Sequence, residues 1–304
     1  MSDAQESADH SGCRLCPRRC GALREQGETG LCGANETLRV ARAALHFWEE
    51  PPISGSRGSG TVFFSNCCLR CVYCQNAAIA SGELGKDISV KRLAEIFIEL
   101  QNQGAHNINL VTPTHYVRQI IAALDIARQA KPALTLPVVY NTSGYELPET
   151  IRSLANYIDV FLTDFKYASC ELAAKYSNAA DYPQVALAAL QEMVALMGDF
   201  VLSEDGILQR GVIVRHLVLP GHVDDSLQVI QTVFAAVANQ VCYSLMNQYT
   251  PMPGAPANLQ RKLSEAEYAE VIDYALDLGI TNSFMQVGDT AQESFIPPFD
   301  FTGI

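Results

Sequence analysis

Three thiols carry the chemical interest of this chain. Cys67, Cys71 and Cys74 sit in Ser65-Asn66-Cys67-Cys68-Leu69-Arg70-Cys71-Val72-Tyr73-Cys74-Gln75-Asn76. A C-x3-C-x2-C spacing lets one loop wrap around an iron–sulfur cube. A cubane has four irons and usually takes four cysteine ligands, so three ligands leave one iron open. An open iron can bind and activate a small molecule, whereas a fully ligated cluster mostly carries electrons. Cys68 is out of register and reads as a packed neighbour.

A second set lies upstream. Cys13, Cys16, Cys20 and Cys32 read C-x2-C-x3-C-x11-C. Four thiolates suit tetrahedral zinc or a second, fully ligated cluster. The spacing matches neither common zinc pattern, and free thiols or a transient disulfide are the alternative. Arg14, Arg18 and Arg19 would partly offset thiolate charge. Eight of the ten cysteines precede residue 75, a crowding that core packing does not explain. Packing cysteines would be scattered, as Cys170 and Cys242 are. In a chain read as cytoplasmic, metal ligands are favoured over disulfides.

The elements that must position these groups follow from the apolar pattern. Strands are expected at Thr61–Ser65, Asn107–Thr112, Leu136–Thr142, Tyr157–Phe165, Gly211–Leu219 and Val241–Tyr249, with Ser283–Val287 as a candidate seventh. They are apolar without strict alternation, as strands buried on both faces should be. Helical patterns lie between them, near Ser89–Gln103, Thr114–Arg128, Pro148–Asn156, Val185–Met197, Asp224–Ala238 and Ser264–Leu278. Ser89 and Ser264 are expected N-caps, the latter with Glu267 completing a capping box. Six β/α units argue for a parallel sheet covered by helices. A partial barrel or a doubly wound sheet would both put their chemistry at the C-terminal ends of the strands. There the cysteine loop follows the first strand, Thr112 ends the second, Asn141 the third and Asp164 the fourth.

Composition sets bounds. The charge is 21 basic against 33 acidic residues, or −12, which argues against broad nucleic-acid or anionic-membrane binding. No apolar run approaches the roughly 20 residues of a membrane span. Met1–Ser11 is polar and acidic, reads as a disordered lead-in, and is no secretory signal. Pro51–Gly60 reads as a linker. The expected organisation is a cysteine-rich module over 1–50, a core over 55–290 and a tail over 291–304.

The C-x3-C-x2-C loop, with Tyr73 before its last cysteine, resembles that of the radical S-adenosylmethionine (radical SAM) superfamily. The likeness extends to its pyruvate formate-lyase activating-enzyme branch, especially to uncharacterised relatives with an N-terminal cysteine module. It rests on Cys13–Gly21 with Gly30–Gly33, Val111–Tyr116, Tyr140–Gly144, Leu162–Lys166 and Arg215–Gly221. The resemblance implies a partial (β/α)6 barrel and a 4Fe-4S cluster on Cys67, Cys71 and Cys74. It also implies reductive cleavage of S-adenosylmethionine to a 5′-deoxyadenosyl radical, with a flavodoxin or ferredoxin as electron donor. Activation of a glycyl radical enzyme, or modification of a protein or peptide, is its expected use.

By position, Thr112–Thr114 replaces a glycine-glycine-glutamate stretch that contacts the methionine amino group, and it lacks the carboxylate. Asn141 and Thr142 replace an aspartate-threonine pair near the ribose and a cation. Asp164 and Lys166 match an aspartate and lysine two apart, and Arg215 matches an arginine pointing into the barrel, where it could pair with a carboxylate. Tyr73, Thr112, Asn141, Thr142, Asp164 and Arg215 are thus the expected cofactor contacts, and Lys166 and Arg215 the expected catalytic pair. His115, His216 and His222 read as structural. The rival reading is an electron-transfer or structural iron–sulfur protein, which would need a fourth ligand at the Cys67 loop.

Overall fold

The computed structural model describes residues 12–285 and 296–304. The expected lead-in, Met1–Ser11, lies outside them, as do residues 286 and 287 of the candidate seventh strand. Ten strands are present among the described residues: β1 Leu38–His46, β2 Ser59–Phe64, β3 Lys86–Ile88, β4 Ile108–Val111, β5 Val138–Thr142, β6 Val160–Asp164, β7 Val201–Leu202, β8 Leu208–Leu217, β9 Cys242–Met246 and β10 Ser283–Met285. The helices are α1 Pro51–Ser54, α2 Ala77–Ala80, α3 Val90–Asn102, α4 Val117–Gln129, α5 Pro148–Ser153, α6 Cys170–Ser177, α7 Tyr182–Met197, α8 Val223–Val237 and α9 Glu265–Asp277.

The sheet runs β10-β9-β8-β6-β5-β4-β2-β1-β3, with β7 paired to β8. Every pair from β2 to β10 along that path is parallel. Its end strands, β10 and β3, are not paired with each other among the described residues, so the sheet is a partial barrel. The six expected strands and the seventh are all there. So are the six expected helices, each shifted by a few residues at its ends. Ser89 accepts from the Arg92 N–H, and Ser264 with Glu267 forms the full capping box.

Three features depart from the sequence reading. β1 is a nine-residue strand antiparallel to β2 that the apolar pattern does not announce, because Arg39 and Arg42 interrupt it. The stretch read as a linker instead forms α1 and the start of β2. Between β6 and α7 an extra helix, α6, is capped by Ser169. In the tail, the Phe301 N–H donates to Ala41 O and Thr302 O accepts from the Ala43 N–H on β1, while Phe299 packs on Phe63. No helix among the described residues is long and apolar enough to cross a membrane.

Two of the three apolar bodies among the described residues frame the sheet. The large one lies between the strands and the helices. The small one plugs the inner face of the sheet with Ile53, Val139, Val160, Leu162, Leu208, Ile213 and Cys242. Side chains two apart on a strand share a face. Two residues beyond Val139, Leu162, Ile213 and Cys242 come Asn141, Asp164, Arg215 and Ser244. The inner face therefore turns from apolar to polar in one step as the strands approach their C-terminal ends.

Candidate active site

That polar layer is a buried charge network. Arg215 on β8 donates from Nε to Asp164 on β6 at 3.1 Å, from Nη1 to Glu49 at 3.1 Å, and from Nη2 to the Asn141 side-chain oxygen. Lys166 closes on the other Asp164 oxygen at 2.5 Å. Glu49 also accepts from Asn109 at 3.0 Å and Asn141 at 3.3 Å. Burial alone would raise the Asp164 carboxyl, but Lys166 and Arg215 outweigh it and hold the group below its ordinary value. For Glu49 and Glu50 burial wins, and both are raised despite Arg215. Arg215 is therefore the hub of an inner ion-pair layer and not a surface pair.

The cysteine loop stands above this layer, directly after β2. Left-handed backbone at Asn66 (φ 76°) and Arg70 (φ 51°) turns the chain back on itself. The Leu69 N–H points at the Cys67 sulfur at 3.4 Å. A hydrogen bond from the Cys68 thiol, over the opposing pull of burial and with help from the Arg70 and Leu69 N–H groups, brings Cys67 down to about 6. Burial pushes Cys71 up and Cys74 up to about 12, with the neighbouring loop thiols adding to it. Lys166 favours the thiolate at all three. The Ser177 hydroxyl on α6 reaches Cys71 Sγ at 3.1 Å. Behind it run Tyr167 at 2.8 Å and then Tyr73 at 2.7 Å. Tyr73 thus meets the loop through a hydroxyl chain that its position in the sequence does not reveal.

Among the described residues no three His, Cys, Asp or Glu side chains are gathered closely enough to hold a single metal ion. The donor set still fits a larger group. Three soft thiols on one loop, with N–H and O–H donors aimed at two of the sulfurs and a lysine nearby, match what a cubane needs.

The other expected residues divide. Asn141, Asp164, Lys166 and Arg215 come together in the inner layer. Thr142 lies on the opposite face of β5, where its hydroxyl binds Glu146. Thr112 takes a left-handed φ of 59°, which is strained for a β-branched residue, and α4 begins only at Val117 after a short turn from Thr114. His115 bonds the Ser65 carbonyl at 2.8 Å, and His216 bonds Phe165 O and Ser226, in keeping with structural roles.

The N-terminal cysteines gather in a module of loops. A side chain at Gly30 would strike both the Cys20 and the Cys32 sulfur, at 3.1 and 3.4 Å. Cys32 feels both Cys16 and Cys13. Cys16 is brought down to about 7, chiefly by a hydrogen bond from Cys68. Cys68 is thus buried between Cys16 and Cys67, and it links the two cysteine sets. Arg18 fastens the module by donating to the carbonyls of Cys68 and Ser177, both at 3.0 Å, and of Asn178.

Sequence reasoning missed three carboxylates. Glu49 and Glu50 follow β1. Glu146 is fully buried, and its Oε1 accepts from Thr114 at 2.6 Å, from Thr142, and from Tyr140 at 3.3 Å. Its Oε2 has no hydrogen-bond partner. Burial, against the hydroxyl donors, pushes Glu146 up to about 8. The available signal was position: it comes four residues after the polar end of β5.

Residues 61–232 match the radical SAM superfamily profile, more than half of the chain. The chain belongs to the radical SAM superfamily. It is 28% identical over 281 residues to an uncharacterised protein of Methanocaldococcus jannaschii, covering 88% of this chain and 76% of that one. Among solved structures it is similar to Streptococcus suis SuiB bound to its precursor peptide SuiA, with 13% identity and a TM-score of 0.49. That match covers 71% of this chain and 46% of SuiB, so this radical SAM chain spans about half the length of that relative. It is also similar to methylornithine synthase PylB (13% identity, TM-score 0.48, 69% of this chain and 59% of that one). A domain of pyruvate-formate lyase-activating enzyme from Bacteroides vulgatus matches at 11% identity and a TM-score of 0.39, over 56% of this chain and 93% of that one.

Proposed function

We propose that this radical SAM protein holds a 4Fe-4S cluster on Cys67, Cys71 and Cys74 and uses it to cleave S-adenosylmethionine reductively. One observation carries the reading: three thiols share a single loop at the C-terminal end of β2, above a buried polar layer, in a chain of this superfamily. Such a cluster, reduced by a flavodoxin or ferredoxin, supplies the electron that breaks a C–S bond and yields a 5′-deoxyadenosyl radical.

The chain's own residues bind and orient. Lys166, beside the thiols, offsets their negative charge. Ser177 and the Leu69 N–H bond to sulfur and steady the thiolate form. Asn141 and Asp164 offer oxygen atoms at strand ends, where a ribose or an amino group would lie. Arg215, held by Glu49 and Asp164, presents fixed positive charge to a carboxylate. Cys68 sits directly beside Cys67, where the geometry for a fourth ligand is poor, which weighs against a purely electron-carrying cluster.

The open sheet edge favours a protein or peptide substrate, and installing a glycyl radical on a partner is one such use. The four N-terminal thiols would hold zinc or a second, fully ligated cluster. The test is anaerobic reconstitution, reduction with dithionite and assay for 5′-deoxyadenosine. Product is expected, and its absence from protein with an intact cluster would sink the proposal.

A further inference from the structure

The C-terminal tail is fastened to the inner face of the sheet. Arg42, Phe63, Val111 and Asn141 are paired in turn across β1, β2, β4 and β5. Directly paired residues share a face, so these four form one inner row, and its Asn141 end meets Arg215. The tail holds the other end. Arg42 Nη1 donates to Pro298 O at 3.0 Å and to Asp300 at 2.6 Å. Phe299 packs edge-on against Phe63, with ring centroids 5.6 Å apart. Asp300 also accepts from the Thr302 N–H and hydroxyl. Gly303, with a left-handed φ of 76°, passes so close to β1 that a Cβ there would lie 2.0 Å from Ala43 O. The Arg42 side chain is largely buried. Burial, with help from the Arg42 charge, holds His46 down to about 4, which sets the guanidinium beside the interior.

This anchoring brings Ile296 and Pro297 over the chamber. They line a cavity of about 140 Å³ that runs from Gln75 and Asn76, just beyond Cys74, to Asn141 and Arg215. That volume is below the roughly 300 Å³ at which ligand pockets usually begin. A ligand reaching from the cysteine loop to Arg215 therefore has to touch the tail. The cavity has two characters. Amides and charged groups make one side, and Ile296 and Pro297 join Phe63 and Val111 to make the other.

We propose that Ile296 and Pro297 form a wall of the S-adenosylmethionine site, and that Arg42 is the positioning residue that latches them there. The inference rests on the proposed function and adds to that site a segment from the far end of the chain. The wall suits such a ligand. Its carboxylate and amino group want the polar side, and its methylenes want an apolar surface opposite. A wall in this place also keeps water away from the space between the cysteine loop and Arg215, where a reactive radical would form. Arg42 touches neither ligand nor thiol in this account. It acts through the tail, by holding Pro298 and Asp300 so that the two preceding residues stay over the cavity.

The test is calorimetric titration of S-adenosylmethionine into the oxidised, cluster-loaded full chain, without reductant, so that binding is measured apart from cleavage. Ile296→Ala combined with Pro297→Ala removes the wall and keeps every anchor from Pro298 onward. It is expected to weaken binding by about tenfold and to leave the cluster spectrum unchanged. Arg42→Met is expected to weaken binding to a similar extent and to speed hydrogen exchange at the Ala43 amide, which the tail protects. Arg42→Lys, which keeps a donor for Pro298 O, is expected to recover most of the affinity. Wild-type affinity in the double variant overturns the proposal, and tighter binding overturns it in favour of a tail that obstructs the site. A lowered Tm in Arg42→Met with unchanged affinity overturns the role given to Arg42. A chain that binds S-adenosylmethionine against this wall but never cleaves it refutes the proposed function alone. A wild-type chain that does not bind it refutes both.

Discussion

Replacing Glu146 by Gln should change how stability depends on pH. Glu146 is fully buried, and its carboxyl is raised from an ordinary 4.5 to about 8. At about 1.4 kcal/mol for each tenfold change in proton affinity, ionising it in the folded chain costs about 4 to 5 kcal/mol more than in the unfolded chain. The sign follows from which state holds the proton. Between pH 4.5 and 8 the folded chain keeps it and the unfolded chain has released it, so stability falls as pH rises through that window and levels off above it. Glutamine keeps the shape and cannot ionise. Its amide, set where Oε2 has no partner, carries a constant penalty of about 1 to 3 kcal/mol that shifts the curve without tilting it. The assay is thermal unfolding by circular dichroism from pH 5 to 9 on both proteins, with the cysteine loading held the same. At about 2 °C for each kcal/mol in a chain of this size, the gap in Tm should move in the variant's favour by on the order of 10 °C across the range. Parallel curves would refute the reasoning, because they would mean that Glu146 is ionised throughout or reached by water.

Arg215→Met leaves Glu49, Asp164 and Asn141 facing one another without their hub, and should cost about 3 to 5 kcal/mol as well as 5′-deoxyadenosine production. An unchanged Tm would contradict the placement of Arg215 in the network. Ser177→Ala removes the hydroxyl from Cys71 Sγ and should move the cluster potential to a more negative value, read by redox titration under EPR. Paired Cys20→Ser and Cys32→Ser replacements should lower bound iron from about eight atoms per chain to about four if the module holds a second cubane. Zinc content that tracks these cysteines would decide for zinc. Ser264→Ala should cost about 1 kcal/mol through the lost cap and leave cleavage activity untouched.

The parallel strands were legible because burial on both faces makes them continuous apolar runs, and the helices because their stripes repeat and their caps are explicit. β1 was not, since Arg39 and Arg42 break its apolar run and make it look like loop. The cysteine loop was legible because three thiols at fixed spacing have few other uses. Asn141, Asp164 and Arg215 were found by position, and the sheet does bring them to one layer. Glu49, Glu50 and Glu146 were invisible for a physical reason. In a chain with 33 acidic residues, a carboxylate outside any periodic element carries no mark of burial, and only the packed sheet separates these three from the many left at the surface.

The pairing of Phe301 and Thr302 with β1 has a consequence for biosynthesis. β1 is synthesised early, yet part of its outer edge meets its backbone partners only when these late residues emerge. Until then the hairpin of β1 and β2 presents open hydrogen-bonding groups at Ala41 and Ala43, a surface that can pair with another chain. The loop bearing Glu49 and Glu50 hangs from that same strand. A growing chain would therefore carry an unfinished inner wall beside an already formed cysteine loop, and would stay exposed to misassembly until residues 301 and 302 have emerged.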